Sequence, residues 1–128
     1  RKIKLMIGIK TRFFITDNSG GKFGECIKVL RKKYQHACIG DFIVIAIKKI
    51  RKYKKMKVKM HEVRFGIIVR TKKMITRFNG FHLSFSDNAM VLLDKNLNPL
   101  ANRINGPLSY EIREKKLMKL VLIAPNVF

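Results

Sequence analysis

The sequence contains only two cysteines and three histidines, and it has no tryptophan. Cys26 and Cys38 are too few for the disulfide framework of a small secreted domain, and neither belongs to a C-x-x-C pair. The histidines, His36, His61 and His82, are scattered, whereas a zinc site needs four ligands at close spacing. We therefore expect no metal site, and we interpret both cysteines as small buried thiols in a reducing compartment.

Long apolar segments are also missing. No stretch of 18 or more apolar residues occurs, so the sequence predicts no membrane-spanning helix and no membrane partner. The apolar run at 5–9 follows a basic start but is too short for the core of a secretory signal. Because the chain begins with Arg1, the sequence leaves open whether a targeting segment precedes it.

Sequence patterns typical of enzymes are absent as well. The G-x-S-x-G nucleophile elbow does not occur, and residues 20–22 (Gly-Gly-Lys) lack the spacing of a phosphate-binding P-loop. Asp17, Asp41 and Asp87 lie within turn signals, where we expect them to accept hydrogen bonds inside the turn. We therefore expect no enzyme activity, no cofactor and no small-molecule substrate.

Positive charge is what the sequence has in excess. Lysine and arginine number 29 and acidic residues number 8, which gives a formal net charge of +21 over 128 residues. The excess is greatest at 48–59, where 8 of 12 residues are basic. Because such a charge opposes compaction, we expect a polyanionic partner, and nucleic acid fits better than a membrane surface or an acidic substrate. With 47% apolar residues, the chain still has material for the core of one domain.

Short apolar runs between turn signals predict a mainly β fold, with strands around 13–15, 26–30, 42–47, 63–69 and 89–93. The run at 42–47 is continuous and β-branched, which is typical of a strand buried on both faces. Asn79-Gly80 is the best hairpin signal in the chain. Strand-like runs roughly every 10–20 residues indicate a closed or nearly closed β-barrel.

The C-terminal third carries helix signals instead. Pro107 fits the first position of a short helix that would place Leu108, Ile112 and Leu117 on one side. The apolar run at 117–123 is either a strand or a helix, because periodicity does not distinguish the two in so short a run.

The basic residues form three groups, at 28–34, 48–59 and 70–77, which indicates a broad contact with a large folded RNA. At 55–60 charge and apolarity alternate, as in a two-faced strand or an arm of a β-ribbon. The group at 70–77 lies between a strand and a turn, so we expect it to be exposed. The predicted RNA-binding residues are the basic residues of these groups and three further arginines: Lys28, Arg31, Lys32, Lys33, Lys48, Lys49, Arg51, Lys52, Lys54, Lys55, Lys57, Lys59, Arg64, Arg70, Lys72, Lys73, Arg77, Arg103 and Arg113.

Arginines and aromatic residues have distinct expected roles in this contact. We expect the arginines to make bidentate contacts to phosphates or base edges, and the lysines to add charge that tolerates changes of position. Tyr34 and Tyr53 lie within basic runs and are the predicted stackers on unpaired bases. Phe42, Phe65 and Phe85 lie within apolar runs and are assigned to the core.

The motifs, in this order and at this spacing, resemble the universal large-subunit ribosomal protein fourteen family. The similarity covers residues 6–128 and fits the bacterial and organellar type. The segments that carry it are 17–20, 26–30, 40–41, 69–73, 85, 87–89, 91–93, 103–104, 106–107, 111, 113, 118–119 and 124–125.

The resemblance implies a five-stranded β-barrel with a projecting β-ribbon and a C-terminal extension that contains short helices. Residues 1–128 would form one rRNA-binding domain, with 1–5 as an N-terminal extension and about 97–128 as the C-terminal extension. The protein would bind large-subunit rRNA, face the small subunit and help to form bridges to small-subunit rRNA. Large-subunit ribosomal protein nineteen would be its neighbour, with strands paired across the interface. A ribosome-silencing factor would dock at Asn102, Arg103 and Lys119.

The chain departs from the family pattern at several positions. Asn102 replaces a threonine, and His61-Glu62 replaces a Gly-Asp turn that precedes a strand. A Pro-x-Gly turn is replaced at 51–54, and Ser84 occupies a position that is usually basic. Lysine, isoleucine, phenylalanine, asparagine and methionine, which have AT-rich codons, are abundant. This composition favours a mitochondrial gene, with a plastid or an AT-rich bacterium as alternatives.

Three other functions stay open at this point. A free-standing RNA-binding barrel, such as a chaperone or a single-strand binder, would rely on stacking, which tyrosine alone supports weakly. An RNA-modifying enzyme would have Tyr34, His36 and His61 as its only candidate residues. A secreted heparin-binding module would require a Cys26–Cys38 disulfide.

Overall fold

The computed structural model describes residues 10–30, 37–52 and 57–128. Predictions that concern residues 1–9, 31–36 and 53–56, including the two stacking tyrosines, lie outside the described residues. Within the described residues the elements are, in chain order, β1 (Arg12–Ile15), β2 (Gly21–Val29), β3 (Phe42–Ile50), β4 (Val63–Arg70), β5 (Ile75–Thr76), β6 (His82–Leu83), β7 (Ala89–Leu93), α1 (Tyr110–Glu114) and α2 (Met118–Ile123).

Five of these strands close into a barrel in the order β1-β2-β3-β4-β7. The first four strands pair antiparallel with their neighbours in sequence, and β7 pairs antiparallel with β4. Closure comes from parallel pairing of β7 with β1, in which Phe14 lies opposite Ala89 and Ile15 opposite Met90. Closure removes the free edges of the sheet. The predicted β-barrel is therefore confirmed.

The strand β3 is buried on one face only, which corrects the expectation drawn from its continuous apolar run. Ile43, Ile45 and Ile47 are fully buried, while the residues between them are half-buried. In a barrel, alternate side chains point to the interior, and the others point outward. Strand β7 is the one whose five residues are all buried. Its outer face is covered by the chain that follows, where the Leu100 N–H donates to the Leu92 carbonyl at 3.1 Å.

The C-terminal extension contains the two short helices, but the first begins later than predicted. Pro107 lies outside α1, which begins at Tyr110. The reason is that Leu108 is held extended: its N–H donates to the Asn126 carbonyl at 2.9 Å, and its carbonyl accepts from the Phe128 N–H at 2.8 Å. The ambiguous run at 117–123 is helical in α2.

The predicted hairpin at Asn79-Gly80 is present as the separate two-stranded sheet β5–β6. The Arg77 N–H donates to the Phe81 carbonyl at 2.9 Å, and the Gly80 N–H donates to the Arg77 carbonyl at 3.1 Å. Gly80 has a φ of +84°, a conformation that glycine adopts without steric cost. The Asn79 side chain completes the turn by accepting from the Phe81 N–H at 3.2 Å.

The strand or ribbon arm predicted at 55–60 is absent from its described part, and the residues before β4 form a tight turn; residues 55 and 56 lie outside the described residues. Val58 is buried, as the alternating pattern requires, but Met60 is exposed and residues 57–60 are not in a strand. His61 has a φ of +64°, in the left-handed region. It stays there because its N–H donates to the Ile47 carbonyl at 2.7 Å, while the Glu62 carbonyl accepts from the Ile47 N–H at 2.9 Å. The tight turn therefore forms with histidine at this position.

We predict that His61→Gly stabilises the protein, whereas His61→Val destabilises it. The His61 side chain is exposed, so its removal costs little packing. Glycine relieves the left-handed strain, and we expect a gain of about 0.5–1 kcal/mol in the free energy of unfolding. A β-branched valine worsens the strain, with an expected loss of about 1–2 kcal/mol. Urea unfolding of the three proteins measures both changes, and a valine variant as stable as the glycine variant would contradict the assigned backbone.

Candidate nucleic-acid interface

Exposed basic residues converge at one end of the barrel, where β3 ends and β2 begins. The Arg51 N–H donates to the Gly20 carbonyl at 2.7 Å, and the Lys57 N–H donates to the Ser19 carbonyl at 2.9 Å. These bonds bring the segment after β3 against the β1–β2 turn. We call this region the basic end, and its members are Lys22, Lys48, Lys49, Arg51, Lys52, Lys57, Lys59 and Arg103.

The C-terminal extension supplies the far side of the basic end. The Asn18 amide donates to the Asn102 side-chain oxygen at 2.8 Å, and its own oxygen accepts from the Arg103 N–H at 3.3 Å. The Lys57 ammonium donates to the Leu100 carbonyl at 3.0 Å. Segments separated by more than 40 residues in sequence thus form one surface, which the linear charge pattern did not reveal.

Aromatic rings support two of the cations. The Arg51 guanidinium lies 5.1 Å from the centroid of the Phe14 ring, and the Lys22 ammonium lies 5.7 Å from that of Phe23. The two rings meet edge to face, with centroids 5.7 Å apart. Contact with a ring face is favourable for a cation and restrains its side chain. Arg51 is half-buried and contacts a ring, so its side chain is more restrained than that of an exposed lysine such as Lys52.

A buried carboxylate shapes the turn beneath this surface. Asp17 Oδ1 accepts from the Ser19 N–H at 3.2 Å and from the Ser19 hydroxyl at 2.5 Å, while Oδ2 accepts from the Leu92 N–H at 3.1 Å. Burial raises the pKa of Asp17, although these hydrogen bonds and the charge of Lys57 act in the opposite direction. The expected turn role of Asp17 is confirmed. Asp41 acts similarly, since its Oδ2 accepts from the Cys38 N–H.

Arg70 is buried, which corrects the expectation that the group at 70–77 is exposed. Its guanidinium donates to the Thr16 hydroxyl at 3.3 Å and to Asp87 Oδ2 at 3.2 Å. It also donates to the backbone carbonyls of Asn105 at 3.3 Å and Pro107 at 3.5 Å. Asp87 therefore pairs with Arg70 rather than serving only its own turn. With these partners inside the fold, Arg70 ties β4 to the C-terminal extension.

Two other predicted arginines are also engaged within the fold. Arg77 donates to both carboxylate oxygens of Glu111 on α1, at 3.0 and 3.3 Å. Arg64 pairs with Glu62 at 2.6 Å. Burial opposes ionisation of Glu111, but hydrogen bonds from Arg77 and Ser109 outweigh it and lower the pKa of this carboxyl. A backbone hydrogen bond from Lys59 is the largest cause that lowers the pKa of Glu62.

The remaining predicted RNA-binding residues divide simply by location. Those that are described and exposed are Lys28, Lys48, Lys49, Lys52, Lys57, Lys59, Lys72, Lys73, Arg103 and Arg113. Those that lie outside the described residues are Arg31, Lys32, Lys33, Lys54 and Lys55. The structure thus brings most of the exposed residues of 48–59 together with Arg103, while Lys28, Lys72, Lys73 and Arg113 lie elsewhere.

The three residues implied as a silencing-factor contact are all exposed. Asn102 and Arg103 lie at the basic end, and the Lys119 ammonium on α2 donates to the Asn98 side chain. An apolar groove of about 300 Å³ adjoins Lys119, lined by Phe42, Leu97 and residues of α2. The loop that contains Asn98 and Asn102 therefore connects the two parts of this trio.

Other kinds of site find little support in the described residues. No three His, Cys, Asp or Glu side chains in the described parts of the chain lie close enough to share a metal ion. Nor does any described helix have the length and apolarity needed to cross a membrane. Cys26 is buried as expected, and burial raises the pKa of its thiol, whereas Cys38 is only half-buried. Phe42, Phe65 and Phe85 pack against the core, as assigned.

Sequence reasoning missed Lys22, Asn18 and two phenylalanines at the β5–β6 turn. A lysine next to an aromatic residue after a turn, as in Lys22-Phe23, is a pattern that indicates an exposed cation on a ring. Phe78 and Phe81 flank the Asn-Gly turn, and turn tips are surface positions. Both side chains are exposed.

A comparison with protein families gives one further finding. A family model described as ribosomal protein L14p/L23e matches residues 6–128 of the chain.

We predict that Arg70→Met destabilises the protein strongly, while Lys72→Met does not. The arginine variant removes the hydrogen bonds of the guanidinium to Thr16, Asp87 and the Asn105 and Pro107 carbonyls, and it leaves Asp87 without its cation. We therefore expect a loss of about 2–4 kcal/mol in the free energy of unfolding. Lys72 is exposed, and its replacement should change stability by less than about 0.5 kcal/mol. Urea unfolding distinguishes the two, and equal stabilities would show that Arg70 is not the anchor described.

We predict that the Arg77–Glu111 pair makes stability depend on pH in the acid range. Because folding lowers the pKa of Glu111, its contribution is complete above the unfolded value of about 4.3 and disappears as pH falls through the folded value. Glu111→Gln should therefore cost about 1–2 kcal/mol at neutral pH. The cost should vanish toward pH ~2. The matched control is Glu114→Gln on the same helix, and a penalty for Glu111→Gln that is constant with pH would refute this linkage.

Proposed function

We propose that this chain, which belongs to the ribosomal protein L14p/L23e family, binds large-subunit rRNA through the basic end of its barrel. Membership of the family makes it a structural protein of the large ribosomal subunit. The observation that carries the proposal is the convergence of exposed lysines at the basic end. Arg51, in the same segment after β3, lies against the Phe14 ring.

Phosphate contact is the chemistry that this surface supports. Lysine ammonium groups are strongly hydrated point charges that neutralise phosphates without fixed geometry. Each phosphate that a cation neutralises releases condensed counterions, so the affinity should fall steeply with salt. Arg51 and Arg103 are the members with planar, bidentate donors. The Arg51 guanidinium lies against the Phe14 ring, and the backbone of Arg103 is fixed by its hydrogen bond to Asn18. We expect these two to set the register of the RNA, and the lysines to supply affinity.

Contacts beyond the rRNA belong to the same proposal, and the family resemblance supports them. We infer a position at the intersubunit face, with bridges to small-subunit rRNA, and large-subunit ribosomal protein nineteen as a neighbour. Strand pairing with that neighbour needs a free sheet edge. The closed barrel has none, whereas the β5–β6 sheet consists of two strands only. The β5–β6 sheet is thus the described element best suited to accept an added strand.

A ribosome-silencing factor is a further proposed partner. Asn102, Arg103 and Lys119 are exposed and therefore accessible to it. The apolar groove beside Lys119 would give such a partner an area to bury. Asn102 stands where the family pattern has threonine, and its side-chain oxygen accepts a hydrogen bond from the Asn18 amide. The polar group that this position presents to a partner therefore differs from a threonine hydroxyl.

We propose a mitochondrial ribosome as the location. The support is the abundance of residues with AT-rich codons together with the high charge, and the same composition describes a plastid or an AT-rich bacterium. Sequencing the source gene in its genome decides among them.

The alternative functions are less well supported than a ribosomal role. A free-standing RNA-binding barrel would share the basic end, but the family match favours a subunit component. For an RNA-modifying enzyme, His61 is the only candidate in the described residues, and it occupies an exposed turn. A heparin-binding module would require the disulfide, but both cysteines are thiols in the structure.

The salt dependence of RNA binding tests the proposal, with large-subunit rRNA transcribed from the same genome as the probe. The test variant is Lys48→Ala with Lys49→Ala at the basic end. The control is the double variant Lys95→Ala with Lys119→Ala. It also removes two positive charges, but these lie beside the first half of β3 rather than at the basic end. If both lysines contact phosphates, the test variant should reduce the slope of log affinity against log salt by about 1–2. The control should leave the slope unchanged.

Two results would count against the proposed interface. A wild-type affinity that does not change with salt would exclude phosphate contact as the source of binding. Equal reductions of the slope in the test and control variants would show a general effect of net charge rather than a contact at the basic end.

A further inference from the structure

The tip of the β5–β6 hairpin presents two phenylalanines to solvent. Phe78 is completely exposed, and Phe81 retains 69% of its accessible surface. The only other side chain as exposed among the described large apolar residues is Leu122, at 79%. Two aromatic rings on one turn form an apolar projection, and such surfaces mark interaction sites. The core does not account for either ring.

The hairpin that carries the two rings is anchored to the rest of the fold. Arg77 precedes the tip and joins it to α1 through Glu111. The same guanidinium donates to the backbone carbonyl of Phe128 at 2.6 Å. Thr76 and His82 bond across the strands at 3.2 Å. The turn is therefore largely organised before it meets a partner, which lowers the conformational cost of binding.

The charges near the hairpin favour a polyanion over an apolar protein pocket. Lys72 and Lys73 are exposed immediately before β5. Two carboxylates of this region, Glu111 and Asp87, are already paired with arginines of the fold. Exposed rings at the tip and exposed lysines at the base of the same hairpin suit a surface that holds unpaired nucleotides, with the bases on the rings and the phosphates toward the cations.

We propose that Phe78 and Phe81 stack on unpaired bases of RNA, so that the hairpin tip occupies a loop, bulge or internal loop. The inference rests on the proposed RNA-binding function and adds a second kind of contact to it. The basic end would neutralise phosphates, and the tip would select places where bases are free to stack. Paired bases in an A-form helix are not accessible to such rings. Stacking thus extends beyond Tyr34 and Tyr53, the residues predicted from sequence.

Two RNA probes test this assignment on the full chain. One is a blunt RNA duplex, and the other is the same duplex with an internal loop of adenines that includes a 2-aminopurine. The test variant is Phe78→Ala with Phe81→Ala, and the control is Leu122→Ala, which removes an equally exposed apolar side chain from α2. Because the phenylalanines are exposed, thermal unfolding should show that all three proteins fold alike.

We expect the double variant to bind the looped probe about tenfold or more weakly than wild type. Binding of wild type should quench the 2-aminopurine fluorescence, and the double variant should lose this signal. The slope of affinity against salt and the affinity for the blunt duplex should not change. Replacement of both residues by tyrosine should restore binding, since tyrosine keeps the ring face.

Several outcomes would overturn the inference, and they separate it from the proposed function. If wild type binds neither probe in a salt-dependent way, the proposed RNA-binding function itself fails. If wild type binds both probes but the double variant matches it, or loses affinity equally for both, only the stacking role is wrong. If the double variant binds RNA normally but no longer associates with the large subunit, the tip binds a protein instead.

Discussion

Carboxylates are scarce in this chain, and the structure depends on where they are placed. Eight acidic residues face 29 basic ones. Four ion pairs in the described residues use Glu62, Asp87, Glu111 and Asp41, and three of the four cations are arginines. Asp17 is buried under the basic end instead, where it accepts hydrogen bonds in the β1–β2 turn. These five of the eight acidic residues are thus engaged in contacts within the fold, and the unbalanced positive charge stays on the surface, mostly as lysine.

Two of the paired arginines, Arg70 and Arg77, join the barrel and the hairpin to the C-terminal extension. Arg70 crosses from β4 to the backbone of the extension, and Gly106 lies so close that a Cβ there would be 2.1 Å from the Arg70 guanidinium. The extension in turn covers β7, positions Arg103 beside the basic end and anchors the hairpin through Glu111. Each interaction surface consequently depends on long-range contacts of the extension. A disturbance of the Arg70 anchor should affect the basic end and the hairpin together.

The sequence was a good guide to the strands and a poorer guide to the arginines. Apolar runs and turn residues predicted the barrel strands and the hairpin, because those signals are local. The start of β2 was missed, since the strand begins at Gly21, five residues before the predicted run at 26–30. The burial of Arg70 could not be predicted from the residues next to it in sequence. Its hydrogen-bond partners Thr16 and Asn105 lie in distant segments of the chain. The first helix begins later than predicted for a similar reason. Leu108 is hydrogen-bonded to Asn126 and Phe128, which are distant in sequence, and is therefore held extended. Clustering of lysines at 48–59 predicted a basic surface, but not its continuation to Arg103.

We propose above all that this protein is an integral, rRNA-bound part of a large ribosomal subunit. The most direct test is sedimentation of a lysate from the source organism or organelle through a high-salt sucrose gradient, with this protein followed by mass spectrometry. We expect the protein to migrate with the large subunit at salt concentrations that strip loosely held basic proteins. Migration at the top of the gradient, free of rRNA, would contradict it and would favour an independent RNA-binding barrel.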